Sequence, residues 1–294
     1  MSSSAEQQAP PGRISGPAGP APTSPAPTQT LTIPDPAPAP GPVRAAAAAD
    51  GDADRVLLTR LSVADKIALL TGADSWRLPG CPAIGLRPVI TSDGPAGVRG
   101  IAKDERTPSA SLPCPSALGA TWDPALVREL ARALGQEARS KNVDVLLAPT
   151  INLMRTPLGG RGFECFSEDP VLTATLAAAY VRGVQDAGVA ATPKHFAGND
   201  SETRRWIYDA QIEPHVLREL YLVPFEACVR DAGAHLVMAA YNSVNGTSMT
   251  ENTALLRDLL KGEWGFDGVI TSDWDAARST VATALATLDI CMPG

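Results

Sequence analysis

Beyond residue 54 the sequence predicts an α/β fold of the (β/α)8 TIM-barrel type, incomplete at the C-terminal end of the chain. Three observations carry that expectation. Short, β-branched apolar runs alternate with amphipathic segments that have helix start signals. No G-x-G-x-x-G turn follows the first run, as a dinucleotide-binding doubly wound sheet would have. Polar and ionisable residues gather at the C-terminal ends of the runs, where barrel enzymes build their active face. A doubly wound sheet is the alternative.

Residues 1–54 are of another kind, rich in Pro, Ala, Ser and Gly with almost no large apolar residue, as in "PAGPAPTSPAPTQT". Such a segment cannot bury enough apolar area to offset its chain entropy, so it is expected to be a disordered tail. Residues 55–294 are then the barrel domain. It opens with "LSVADKIALLTG", where Ser62 and Asp65 have capping-box spacing and Gly72 is expected at the helix C′ position. The expected strands are 87–93, 116–122, 143–149, 189–196, 234–241, 267–273 and 287–294. Most are continuous apolar runs, as suits strands buried on both faces. Between them, Asp123-Pro124, Asp169-Pro170 and Glu213-Pro214 each place an acidic residue before a proline at a first helical turn.

Composition narrows the function classes. With 44% hydrophobic residues the chain can fill a large core. A formal charge of -7 and the lack of a basic stripe argue against nucleic acid as a partner. No stretch reaches the roughly 18 apolar residues of a membrane span, and no secretory leader is evident. Five scattered cysteines without a C-x-x-C pair read as free thiols, so a soluble cytoplasmic protein is expected. The three histidines are not spaced as metal ligands, and neither metal nor cofactor is expected. The sequence is silent on oligomeric state.

Candidate chemistry lies at the strand ends. "VITSDW" places the Asp273 carboxylate at a barrel mouth, with Trp274 offering an indole face to a sugar ring or another flat apolar surface, while Asp275 is expected to cap the next helix. "KHFAGND" brings Lys194 and His195 together as donors to hydroxyls. "SDGPAGVRG" holds Asp93 rigidly as an acceptor-only carboxylate, and "GGRGFECFSEDP" supplies Arg161 and Glu164. Each also has a plainer reading. Asp273 can tie loop amides, Lys194 can pair with Glu164, His195 can be a satisfied core histidine, and Arg161 can tie its own loop. A lysine at a strand end also raises Schiff-base chemistry.

Together these stretches, with "LTGADSW", "CPSALGATWD", "LAPTINLMRTPLGGRGFECFSEDP", "VMAAYNSVNG", "LLKGEWGFDGVITSDW" and "DICMPG", resemble glycoside hydrolase family 3, the β-glucosidase and β-xylosidase family. The resemblance runs from about residue 56 onward. It implies a retaining exo-β-glycosidase acting on a β-glucoside or oligosaccharide, with Asp273 as nucleophile. Asp93, Arg161, Lys194 and His195 would bind the terminal sugar, Tyr241 would lie beside the nucleophile, and Met238 and Trp274 would shape the pocket. Cys165 stands where the family commonly has Ser. Such enzymes take their acid/base from a Glu on a following α/β sandwich domain, so this chain is expected to be an amino-terminal fragment. A branch of single-barrel β-N-acetylglucosaminidases uses an Asp-His pair instead, and no histidine here follows an Asp by two positions. A non-catalytic sugar-binding barrel is the other alternative.

Overall fold

The computed structural model describes residues 51–101 and 107–294. Most of the expected tail lies outside the described residues, and its last residues belong to helix α1, Gly51–Thr59. There follow α2 (Val63–Ala68), β1 (Arg77–Leu78), β2 (Val89–Asp93), α3 (Pro115–Gly119), α4 (Pro124–Ser140), β3 (Val145–Leu147), α5 (Pro170–Asp186), β4 (Ala190–Ala191) and β5 (Lys194–Phe196). The remainder comprises β6 (Asp209–Ala210), α6 (Pro214–Val216), α7 (Val223–Glu226), β7 (Leu236–Ala239), β8 (Ser243–Val244), β9 (Thr247–Ser248), β10 (Val269–Ser272) and α8 (Thr280–Leu285). Short 3-10 and π-helical turns link several of these, including Gly162–Glu164 and Ala254–Glu263.

Two parallel arcs carry the architecture, a mixed α/β fold. In the first, β2 pairs with β3 and β3 with β4, and β1 is added antiparallel on the far side of β2. In the second, β5 pairs with β7 and β7 with β10. Only single bridges join what lies between: Thr150 with Lys194, Thr271 with Ile290, and Thr71 with Cys291. Among the described residues, therefore, the strands do not close into a barrel. A third small sheet of β6, β8 and β9 stands apart.

The strands separate two apolar layers by their period of two. Leu146, Val237, Ala239 and Ile270 join the main core, which α4 and α5 cover with Val127, Leu134, Leu176 and Tyr180. The alternate residues Val145, Leu147, Leu236 and Met238 form a smaller cluster on the other face, against Trp76 and Trp274. Strands buried on both faces explain why the runs are continuously apolar.

Local signals act as expected at several starts. Ser62 and Asp65 form a reciprocal capping box. Asp123 accepts from the N–H groups of Ala125 and Leu126, and Asp169 from those of Val171 and Leu172. Glu213 precedes α6 but its side chain makes no capping bond.

Four expectations fail for identifiable reasons. Residues 116–122 are not a strand: Pro115 presets the first turn of α3, and Trp122 leaves it with φ 55°. Residues 287–294 make only single bridges, since Thr287 has φ 65° and Pro293 has no N–H to donate. The run 189–196 is split into β4 and β5 around Thr192 and Pro193. Gly72 is not a helix cap, because α2 ends at Ala68. Its N–H donates to the Cys291 carbonyl, and a Cβ there would strike the Pro293 carbonyl.

Candidate active site

The two parallel arcs deliver their polar residues to one cleft of ≈ 310 Å³, lined by Trp76, Asp93, Leu147, Arg161, Glu164, Lys194, His195, Arg205, Met238, Tyr241, Asp273 and Trp274. All eight site residues expected from sequence are in that wall. Asp93 ends β2, level with Leu147 of β3. Gly94 follows with φ 134°, and a Cβ there would overlap the Gly97 carbonyl, so only glycine permits the turn that fixes the Asp. At the other arc, Ser272 of β10 is level with Ala239 of β7, and the Asp273 N–H continues the ladder to the Ala239 carbonyl at 2.9 Å. This register sets Asp273 beside the residues just past β7, where Tyr241 lies.

Most charges in the cleft are paired: Arg161 ties its own loop, as its plainer sequence reading has it, whereas Lys194 does not pair with Glu164. Lys194 Nζ donates to Asp93 Oδ1 at 2.6 Å, with its side chain 4% exposed. Glu164 is instead held by Arg161, whose Nε and NH2 donate to its two oxygens at 3.1 and 2.6 Å. Burial alone would raise the Asp93 carboxyl, yet Lys194 and Arg161 hold it below its ordinary value. That carboxylate remains an acceptor for hydroxyls.

His195 corrects the expectation of two adjacent donors. Asn152 clamps its backbone, accepting from the His195 N–H and donating to the His195 carbonyl, each at 2.9 Å. The same Asn152 Oδ1 lies 3.3 Å from Nδ1, so Nδ1 carries the proton. Burial, with Arg161, Lys194 and Arg205 nearby, pushes the imidazole well below its ordinary pKa and keeps it neutral. Nε2 is then a bare acceptor, facing Arg161 NH1 at 3.2 Å. It can receive a hydroxyl proton but not donate one.

Asp273 is 8% exposed. Its Oδ1 accepts the Trp274 N–H at 2.8 Å, and its Oδ2 has no hydrogen-bond partner, lying 3.6 Å from His195 Nε2. Burial raises its pKa; Lys194, the Trp274 amide, Tyr241 and Arg161 oppose that rise without cancelling it. The outcome is a carboxylate with one oxygen anchored and one lone pair uncommitted, as a nucleophile requires. Asp275 does not cap the next helix: it has φ 64°, its N–H donates to the Met292 carbonyl, and α8 starts only at Thr280, with Ser279 at its N-cap.

Aromatic rings wall the cleft. Trp76 and Trp274 sit 5.5 Å apart, and the Trp274 indole donates to the Ser75 carbonyl at 2.9 Å. Tyr241 packs on Trp206 at 4.1 Å and lies under the Arg205 guanidinium at 4.7 Å. Sequence reasoning singled out neither Trp76, Leu147 and Arg205 in the wall nor Asn152 behind it. Trp76, Arg205 and Asn152 all fall inside "LTGADSW", "KHFAGNDSETRR" and "LAPTIN", stretches already set apart as motifs. Cys165 lines a small chamber behind Arg161 and His195, and burial pushes its thiol up to about 12, so it is inert.

Carboxylates, cations and aromatic walls thus meet in one pocket rich in hydrogen-bonding groups, with one carboxylate lone pair left uncommitted. Residues 82–288 match the glycosyl hydrolase family 3 N-terminal domain, and the chain belongs to glycoside hydrolase family 3. It is 48% identical over 238 residues to the probable beta-glucosidase J of Aspergillus fumigatus, a match covering 81% of this chain and 28% of that protein. The structure of beta-glucosidase 3B from Thermotoga neapolitana in complex with alpha-D-glucose superposes with a TM-score of 0.79 at 37% identity, over 82% of this chain and 36% of that one. The Kluyveromyces marxianus beta-glucosidase in complex with glucose gives 0.80 at 39% identity, over 82% and 29% of the two chains. The chain thus spans under a third of the length of the curated relative.

Proposed function

We propose that this chain carries the sugar-binding pocket and nucleophile of a retaining exo-β-glucosidase acting on terminal β-D-glucosyl residues. The observation that carries the reading is Asp273, with Oδ1 anchored and Oδ2 uncommitted in the pocket wall. Attack of Oδ2 on the anomeric carbon forms a glycosyl ester as the bond to the leaving oxygen breaks; water later cleaves the ester. Asp93 accepts from sugar hydroxyls, Lys194 and Arg161 donate, and His195 Nε2 accepts. The two strand arcs and their linking bridges support reading the domain as part of a (β/α)8-type barrel.

The leaving oxygen needs a proton. Asp93 and Glu164 are both committed to ion pairs, and Asp93 is held ionised, so we place the acid outside the described residues. Schiff-base chemistry at Lys194 is disfavoured by its 2.6 Å pair with Asp93, which commits the amine to a carboxylate.

The test is 2-deoxy-2-fluoro-β-D-glucosyl fluoride, whose fluoride leaves with its electron pair and little need of an acid. The expected result is one covalent glucosyl adduct per chain, mapped to Asp273 and missing from Asp273→Asn. Reversible binding without an adduct would instead make the chain a sugar-binding domain that cleaves nothing.

A further inference from the structure

The loop after β5 brings a further aromatic residue to the rim of the cleft. Residues 203–207 form a turn in which the N–H groups of Ile207 and Tyr208 both donate to the Arg204 carbonyl, at 2.8 and 3.0 Å. The Tyr208 hydroxyl ties that turn back to the Gly198 carbonyl at 2.7 Å, and Arg278 NH2 donates to the Trp206 carbonyl, also at 2.7 Å. Trp206 is therefore held by its backbone and by its ring, which packs on Tyr241 with centroids 4.1 Å apart. Tyr241 lines the cleft with Asp273 and is 6% exposed, whereas Trp206 is 45% exposed. The indole thus lies on the solvent side of the wall, next to Ile207, which is itself exposed. An aromatic face fixed in this way loses little conformational freedom when a ligand packs on it.

We propose that Trp206 is a specificity-determining residue that receives the leaving group of the substrate, and that the leaving group it fits is an aryl one. The inference rests on the sugar-pocket role proposed for the cleft. A glucosyl ring that presents its anomeric carbon to Asp273 Oδ2 carries its β-substituent on the face away from that oxygen. The substituent therefore extends outward past the wall, where Tyr241 gives way to Trp206. The cations near the indole are already engaged: Arg205 donates to Glu202 at 2.8 Å, and Arg278 to the carbonyls of Trp206 and Tyr241. This part of the rim offers an apolar face in place of partners for hydroxyls. A flat aromatic substituent stacks on it better than a second sugar or a short alkyl group.

Calorimetric titration of the chain with phenyl 1-thio-β-D-glucoside and methyl 1-thio-β-D-glucoside isolates the substituent, because the two share the sugar and neither has to be cleaved. The wild-type chain should bind the phenyl compound about fivefold more tightly. Trp206→Leu keeps an apolar cover over Tyr241 but has no flat face, and it should bring the two dissociation constants to within about twofold of each other. Trp206→Phe, which keeps a ring, should retain most of the preference. The ratio cancels any change that a variant makes to the sugar pocket through Tyr241. Equal affinities in the wild-type chain, or a phenyl preference that survives in Trp206→Leu, would each overturn the inference and leave the sugar-pocket reading standing. A wild-type chain that binds neither thioglucoside overturns that reading, and this inference with it.

Discussion

At Asp273, burial and neighbouring charge pull in opposite directions, and burial wins. The acidic limb of the labelling rate should therefore lie above the ordinary carboxylate value, because the protonated form cannot attack. Lys194→Met removes the largest opposing influence, so it should move that limb to higher pH, measured as the pH dependence of adduct formation. The place of Asp273 in the cleft wall was legible in the sequence because its position at the end of an apolar run depends only on local pattern. The state of His195 was not. Its protonation follows from Asn152, 43 residues away in the chain, which presents an acceptor to Nδ1. A sequence shows two adjacent nitrogen-bearing residues; only the fold decides which of them donates.

Helices α4 and α5 illustrate how much of an element is written locally. Their starts were readable, and Asp123→Ala should cost about 1 kcal/mol by leaving the Ala125 and Leu126 N–H groups without a cap, seen as a thermal midpoint lowered by about 2–4 °C. Their contact was not readable. Gly183 of α5 faces the Arg128 carbonyl and Ala131 of α4, and a Cβ there would overlap both. Helix propensity favours Gly183→Ala by about 1 kcal/mol, but the overlap is with backbone that cannot rotate away. Overpacking, at about 1–3 kcal/mol, should win, and the variant should unfold at lower denaturant concentration than wild type. Residues 116–122 mislead for the opposite reason: an apolar run with the composition of a strand follows a proline that starts a helix.

For the molecule as a whole, stability should carry a pH dependence set in part by a group outside the cleft. Burial raises Asp200 to about 6, against the lowering effects of Tyr221 and Arg155. The native state thus binds this proton more tightly than the unfolded chain, whose carboxyl titrates near 3.9. Its contribution is fully present below about pH 4 and is lost as pH rises through about 6. Asp200→Asn, which stays neutral, should flatten that part of the thermal midpoint profile between about pH 4 and pH 6. Fold class was legible at this scale because alternating runs and helix starts repeat along the chain. Closure was not: whether short strands join into a continuous sheet depends on pairings such as Thr71 with Cys291, which no local pattern specifies.

Those pairings also govern when the site can exist. Thr71 and Cys291 stand 220 residues apart, and the Trp274 indole reaches back 199 residues to Ser75. Synthesis at about 5–20 residues per second separates the two sides of such contacts by at least ~10 s. During that interval the early half of the pocket has left the ribosome with Trp76 and Asp93 facing no partner arc. Contacts of this separation also slow folding, because loop closure precedes any reward from packing. The cleft draws on stretches that leave the ribosome far apart in time, so its first arc is expected to stay uncovered until the second has been made.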